Sequence, residues 1–187
     1  MTTVQEQDVI ELLLSQHQQI KALFTRVRQS TGETKRDTFH ELTRLLAVHE
    51  SAEEQVVHPA ARDDAGDEVV DARLQEENEA KRALAELYDL GVDAPDFDVR
   101  FAEFEAAVLS HALHEEQEEF PRLRTRTDPA MLVRMAGAVR AAEAVSPTRP
   151  HPNAGENPVA NLMAGPPLAI FDKTRDAVRD WRQSQNK

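Results

Sequence analysis

The sequence predicts an all-α fold, an up-down-up-down four-helix bundle with additional helices at its C-terminal end. Three observations carry that expectation. Apolar residues recur at helical spacing through four long stretches joined by short polar loops. Residues before Ser146 are rich in the helix formers Ala, Leu, Glu, Arg and Gln, while prolines cluster between Ser146 and Pro167. Aromatics make up only 5% of the chain, and no run of Val, Ile, Thr and Tyr alternates at period two, so sheet has no support.

Taken in order, Thr2 or Thr3 can cap a first helix whose inner face carries Ile10, Leu13, Leu14, Ile20, Leu23, Phe24 and Val27, with His17 on that face, until Thr31-Gly32. A second helix is expected from near Glu33 to near Ala61, with Phe39, Leu42, Leu45, Leu46, Val56 and Val57 inward and His49 on the stripe, ending before Asp63-Asp64-Ala65-Gly66. The third carries Val69, Val70, Leu74, Ala80, Leu84 and Leu87 and stops at Gly91, a residue suited to the left-handed position past a helix end. Pro95 opens the fourth, which runs through Phe97, Phe101, Phe104 and Val108 to Leu123.

Asp128-Pro129 reads as a cap and first-turn proline, predicting a fifth helix from Met131 to Val145. Beyond a Pro-rich loop over residues 146–167, Leu168, Ile170, Phe171, Val178 and Trp181 outline a last amphipathic helix, able to dock on the bundle or on a protein partner. The expected organisation is a bundle over residues 1–125 and a helical extension over 126–187.

At 187 residues the chain can bury one sizeable core. A formal charge of −12 opposes nucleic-acid and anionic-membrane surfaces, since phosphates are bound through Lys and Arg. The absence of cysteine excludes disulfides and thiolate metal sites. The N-terminal MTTVQEQDVI lacks a basic region followed by an apolar run, and no stretch is apolar enough to span a bilayer, so a cytoplasmic protein without membrane partners is expected.

One phrase is written twice. HESAEEQVVHPAAR begins at His49 and HALHEEQEEFPRLR at His111, with His, Glu, Glu, Gln, Pro and Arg at matching offsets. Residues four apart share a helix face, so His49 pairs with Glu53 and His111 with Glu115, and Leu42, Leu45 and Leu46 before the first and Phe104, Ala107 and Val108 before the second aim both pairs into the core. A buried Glu without positive compensation is costly, and a metal ion supplies the charge. The alternative is that each pair simply hydrogen-bonds within a metal-free core.

Aligning HQQIKALF from His17 with ENEAKRAL sets Glu77 opposite His17 in the duplicated hairpin, with Leu84 matching Phe24. The candidate ligands are then His17, His49, Glu53, Glu77, His111 and Glu115, a nitrogen and oxygen set that suits iron or manganese better than a closed structural zinc site. His114 and Glu76 are weaker candidates for ligation or for supporting a ligand. Glu54 and Glu116 read as solvated surface, His40 likewise, and His58 as packing near the bundle end. Pro59 and Pro121 should kink or end their helices one turn past the site.

These residues resemble the hemerythrin-like (HHE cation-binding) family over about the first 125 residues. His17 matches its first-helix His, and His49 with Glu53 and His111 with Glu115 match its two H-x-x-x-E elements, the second followed by Phe120-Pro121. The resemblance implies a non-haem di-iron centre, two Fe ions with manganese or zinc behind them, bridged by Glu53, Glu115 and an oxo or hydroxo group. His17 with His49, and residue 77 with His111, would be terminal ligands. It implies small ligands such as oxygen, peroxide or nitric oxide, with catalase- or peroxidase-like turnover, nitric-oxide reactivity or a sensing role all open. Where this chain has Glu77 the family usually has His, and the extra carboxylate should favour the ferric state and redox chemistry over oxygen storage.

Overall fold

The computed structural model describes residues 7–65 and 67–145, together with positions 176, 179, 180 and 183. Positions 176, 179, 180 and 183, in and just past the expected last helix, are helical and exposed, while the rest of that helix, the Pro-rich loop, Thr2 and Thr3 lie outside the described residues. Helix α1 spans Val9–Gln29, α2 Gly32–Ala52, α3 His58–Ala65, α4 Asp67–Leu90, α5 Phe97–His114, α6 Phe120–Arg126 and α7 Pro129–Val145. Between α2 and α3, and again between α5 and α6, a single π-helical turn, Glu53–Val57 and Glu115–Glu119, keeps each pair running as one rod. The described chain therefore forms four rods, α1, α2–α3, α4 and α5–α6, with α7 added.

Local signals set the ends. Asp8 caps α1: its carboxylate accepts the Glu11 amide at 2.9 Å, and the Glu11 side chain accepts the Asp8 amide at 3.3 Å. Gly91, at φ 79°, turns the chain after α4 and donates its amide to the Leu87 carbonyl at 3.1 Å. Asp128 accepts the Ala130 amide at 2.9 Å and Pro129 begins α7. The second rod runs through Asp63, Asp64 and Ala65, which read as a turn in the sequence.

Two apolar clusters fill the interior. One gathers Ile10 and Leu13 from the start of α1, Val57 and Ala61 from the end of the second rod, Val70 from the start of α4 and Phe120 and Leu123 from the end of the fourth rod. The other takes Phe24 and Val27, Phe39 and Leu42, Leu84 and Leu87, and Phe97 and Phe101 from the opposite ends. That pairing of starts with ends makes neighbouring rods antiparallel, as the sequence predicts. Leu132, Met135, Ala136 and Val139 of α7 join the first cluster, so this helix covers one end of the bundle.

The expected proline effect is displaced. Pro59 and Pro121 lack an amide and crowd the carbonyls of Gln55 and Gln117. The helices do not end there. Each widens just before its proline, the His58 amide reaching back to the Glu53 carbonyl and the Phe120 amide to that of Glu115.

Phe24 is fully buried against Phe101 and Phe104, with ring centroids 5.3 and 5.7 Å away. Truncation to Ala should lower unfolding free energy by about 3–5 kcal/mol. Urea unfolding of Phe24→Ala checks this, and a loss below about 1 kcal/mol would show a looser core.

Candidate metal centre

The two apolar clusters are separated by a polar layer. Along α1 it falls at Gln16 and His17, between Leu13 and Ile20; on the second rod at His49, Glu50 and Glu53, between Leu46 and Val56. On α4 it falls at Arg73 and Glu77, and on the fourth rod at His111 and Glu115. All are buried. The helical phase that buries the leucines carries these groups to the same axis.

Within this layer ligand-capable atoms lie within 4.8 Å of one another in two groups, one of His17, His49, Glu53 and Glu115 and the other of Glu53, Glu77, His111 and Glu115. Glu53 and Glu115 belong to both. The structure thus brings together the six side chains singled out in the sequence. His114 and Glu76 stay outside both groups. Glu76 accepts hydrogen bonds from His111 Nδ1 at 2.9 Å and His114 Nδ1 at 3.0 Å, and Arg73 pairs with it at 3.1 Å.

Each imidazole in the two groups is oriented through Nδ1. His17 donates to Glu116 at 2.8 Å, His49 to the Gln16 amide oxygen at 2.8 Å, and His111 to Glu76. Their Nε2 atoms face the centre, His17 and His49 lying 3.1 Å apart, with His49 3.3 Å from Glu53 and both His17 and His111 3.4 Å from Glu115. Donation from Nδ1 fixes the tautomer whose Nε2 lone pair can bind a cation. Glu116, expected on the surface, therefore faces His17 and is only a quarter exposed.

The carboxylates lack compensation. Both oxygens of Glu53 and of Glu115 are buried without a hydrogen bond, as is His111 Nε2. Burial, then Glu115 and Glu77, pushes the Glu53 carboxyl well above its usual range. Burial would raise Glu115 too, but the imidazoles of His111 and His17 outweigh it and hold the group well below. Burial and then His17 depress His49. Unpaired carboxylates beside inward nitrogen lone pairs are the donor set a divalent or trivalent cation satisfies.

Several residues escaped the sequence reading. His58 is buried, donates from Nδ1 to Glu119 at 2.9 Å and hydrogen-bonds Glu77 Oε1 through Nε2. Burial lowers it, but those two carboxylates raise it to about 10. Glu50, buried beside Glu77, is pushed up to about 8, first by burial. Lys81 bonds Glu54, which reads as surface in the sequence, and lies 3.6 Å from Glu77. His40 is half-buried, its ring 5.6 Å from Tyr88. For His58 and Glu119 the missing signal was the π-turn, which changes the phase assumed for an α-helix.

A four-helix protein with a buried imidazole and carboxylate layer is, by class, a cation-binding bundle. The hemerythrin HHE cation binding domain family matches residues 8–123, and the chain belongs to that family. It is 26% identical over 140 residues to a DNA nickase of Nostoc sp., a match covering 74% of this chain and 40% of the nickase. It is 27% identical over 139 residues to an uncharacterized hemerythrin-like protein of Schizosaccharomyces pombe, covering 73% and 68% of the two. A crystal structure of a hemerythrin HHE cation-binding-domain protein from Mycobacterium kansasii shares the fold, with a TM-score of 0.65 at 18% identity over 89% of this chain and 99% of that one. No helix among the described residues is long and apolar enough to cross a membrane.

The shifts have a consequence for pH. Glu50, at about 8 against an ordinary 4.5, and His58, at about 10 against 6.5, hold their protons more tightly folded than unfolded. Such stabilisation is complete below the unfolded pKa and lost as pH rises through the folded one. The depressed groups act oppositely, His49 only below about 6.5 and Glu115 only below about 4.5. The metal-free protein should therefore lose stability from about pH 6.5 to about pH 10. Urea unfolding across that window checks it, and a rising profile would contradict the assignment.

Proposed function

We propose that the buried layer would hold two iron ions, with Glu53 and Glu115 common to both donor groups, His17 and His49 completing one and Glu77 and His111 the other, and that the centre would react with small oxidants. The observation that carries this reading is the sharing of Glu53 and Glu115 between two donor groups. Two carboxylates common to two nitrogen-bearing groups match the way carboxylate bundles hold a metal pair. A bound iron pair supplies adjacent one-electron couples, able to exchange electrons with oxygen, peroxide or nitric oxide.

The residues of the chain do the rest. Gln16, Glu116 and Glu76 fix the imidazole planes and raise their basicity. The apolar clusters on either side keep bulk water from the layer. Beside His17, His49 and His111 lies a cavity of about 10 Å³, with Ile20, Val108 and Glu50 in its wall. That is near the volume one water-sized guest requires. The acidic charge of −12 and the match to only 40% of the nickase leave its DNA substrate without support here.

Protein expressed with iron should carry two irons per chain and show ultraviolet-visible charge-transfer bands of a bridged diferric pair. Glu53→Ala or His49→Ala should lose iron, because the remaining ligands are left buried and underpaired. Fewer than one metal per wild-type chain would sink the reading.

Glu77 adds a third carboxylate to the centre, which stabilises the higher charge of ferric iron. Glu77→His should therefore raise the reduction potential, as measured by spectroelectrochemistry. An unchanged or lower potential would refute the charge argument while leaving metal binding intact.

A further inference from the structure

His17, His49, His58 and His111 are buried and built alike, yet His58 stands outside the two donor groups. Each donates from Nδ1 to a side-chain oxygen of another rod, Glu116, Gln16, Glu119 and Glu76 respectively. Each turns Nε2 onto a neighbour in the polar layer, and for His58 that neighbour is Glu77. We propose that His58 is a further metal-binding side chain, supplying Nε2 beside Glu77 to the ion held by His111, Glu53 and Glu115. The proposal rests on the metal reading above and extends its ligand set.

Helical phase makes the placement possible. In an α-helix His58 would lie five residues past Glu53, roughly 140° around the axis from it. The π-turn bonds the His58 amide to the Glu53 carbonyl, so that five residues complete about one turn and His58 follows Glu53 on the same face. The matching turn on the fourth rod brings Phe120 after Glu115, and there the residue packs, its ring stacked 5.7 Å from His17. Packing alone would thus be served by Phe at position 58. This chain instead carries an imidazole.

Glu119 gives that imidazole a metal-like setting. It is fully buried, one oxygen accepts from His58 Nδ1 and the other has no hydrogen bond. A buried carboxylate behind an imidazole orients a ligand and strengthens its basicity, at a desolvation cost a purely structural contact need not bear. The donor balance agrees. With His58 included, each ion has two imidazoles, His17 with His49 and His111 with His58, and Glu77 is an addition to that symmetry. The proton between His58 Nε2 and Glu77 leaves when the cation arrives, as it does for any ligating imidazole.

The competing role for His58 is a cationic clamp that only positions Glu77. Anaerobic titration of the full chain with ferrous iron, comparing wild type with His58→Ala and His58→Gln, separates the two. Glutamine keeps an N–H for Glu77 but provides no imidazole nitrogen. As a ligand, His58 predicts that His58→Gln loses affinity for one of the two ions as fully as His58→Ala does, whereas a clamp on Glu77 predicts that glutamine restores most of the about 10–100-fold loss expected when a group supporting a ligand is removed. Two ions bound by His58→Gln at wild-type affinity would overturn the proposal. A crystal structure of the iron-loaded wild type decides the matter even if the variants fail to fold: Nε2 bonded to iron supports it, and Nε2 still on Glu77 away from iron rejects it. A wild type that binds no iron would instead overturn the metal reading itself.

Discussion

Glu53, Glu77 and Glu115 are fully buried where four rods meet, and the rest of the structure answers to their charge. An ionised carboxylate removed from water costs several kcal/mol unless it is paired and hydrogen-bonded, and here two of the three have no hydrogen bond at either oxygen. Without a cation, the chain redistributes protons instead. Glu53 and Glu77 shift upward with burial, while His111 rises against Glu115, which sets a more basic imidazole beside the buried carboxylates. The arrangement is poor for a metal-free core and well suited to a cation, so a bound cation would be expected to stabilise the folded chain.

The π-turns are the second constraint. Each begins at one of the shared carboxylates, Glu53 or Glu115, and ends just before a proline. A proline in a regular helix would clash with the carbonyl four residues back and break the rod. Widening the turn relieves that crowding and rotates the succeeding residues about the helix axis, so that His58 and Phe120 face the interior instead of drifting round to solvent. The same irregularity that accommodates Pro59 and Pro121 therefore adds side chains to the layer.

Much of the fold was legible in the sequence because the apolar stripes obey one period. Leu13, Leu42, Leu84 and Phe101 all sit where a 3.6-residue helix puts them, and His49 with Glu53 inherits the phase of Leu42 and Leu46. Glu77 was reached by aligning the halves of the repeat and is buried in the layer. What stayed hidden depended on departures from that period or on other rods. His58 reads from the sequence as packing near the bundle end, and the π-turn before Pro59 is what carries it into the layer. Glu116 looked solvated because its position on its own helix is peripheral, and only the approach of α1 puts His17 within 2.8 Å.

That dependence on neighbours explains why ligand orientation and bundle assembly belong to one set of contacts. Gln16 of α1 holds His49 of α2, Glu116 of the fourth rod holds His17 of α1, Glu76 of α4 holds His111 of α5, and Glu119 of the fourth rod holds His58 of α3. Each of these four imidazoles is held from a rod other than its own. A rod slipped by one turn would move about 5.4 Å, misaligning the leucine layers and leaving imidazoles without their acceptors at once. Register is thus enforced twice, by apolar packing at the two ends and by charged hydrogen bonds at the middle. The middle set also specifies which nitrogen of each histidine turns toward the layer, so the register that makes the bundle stable is the one that assembles the donor groups.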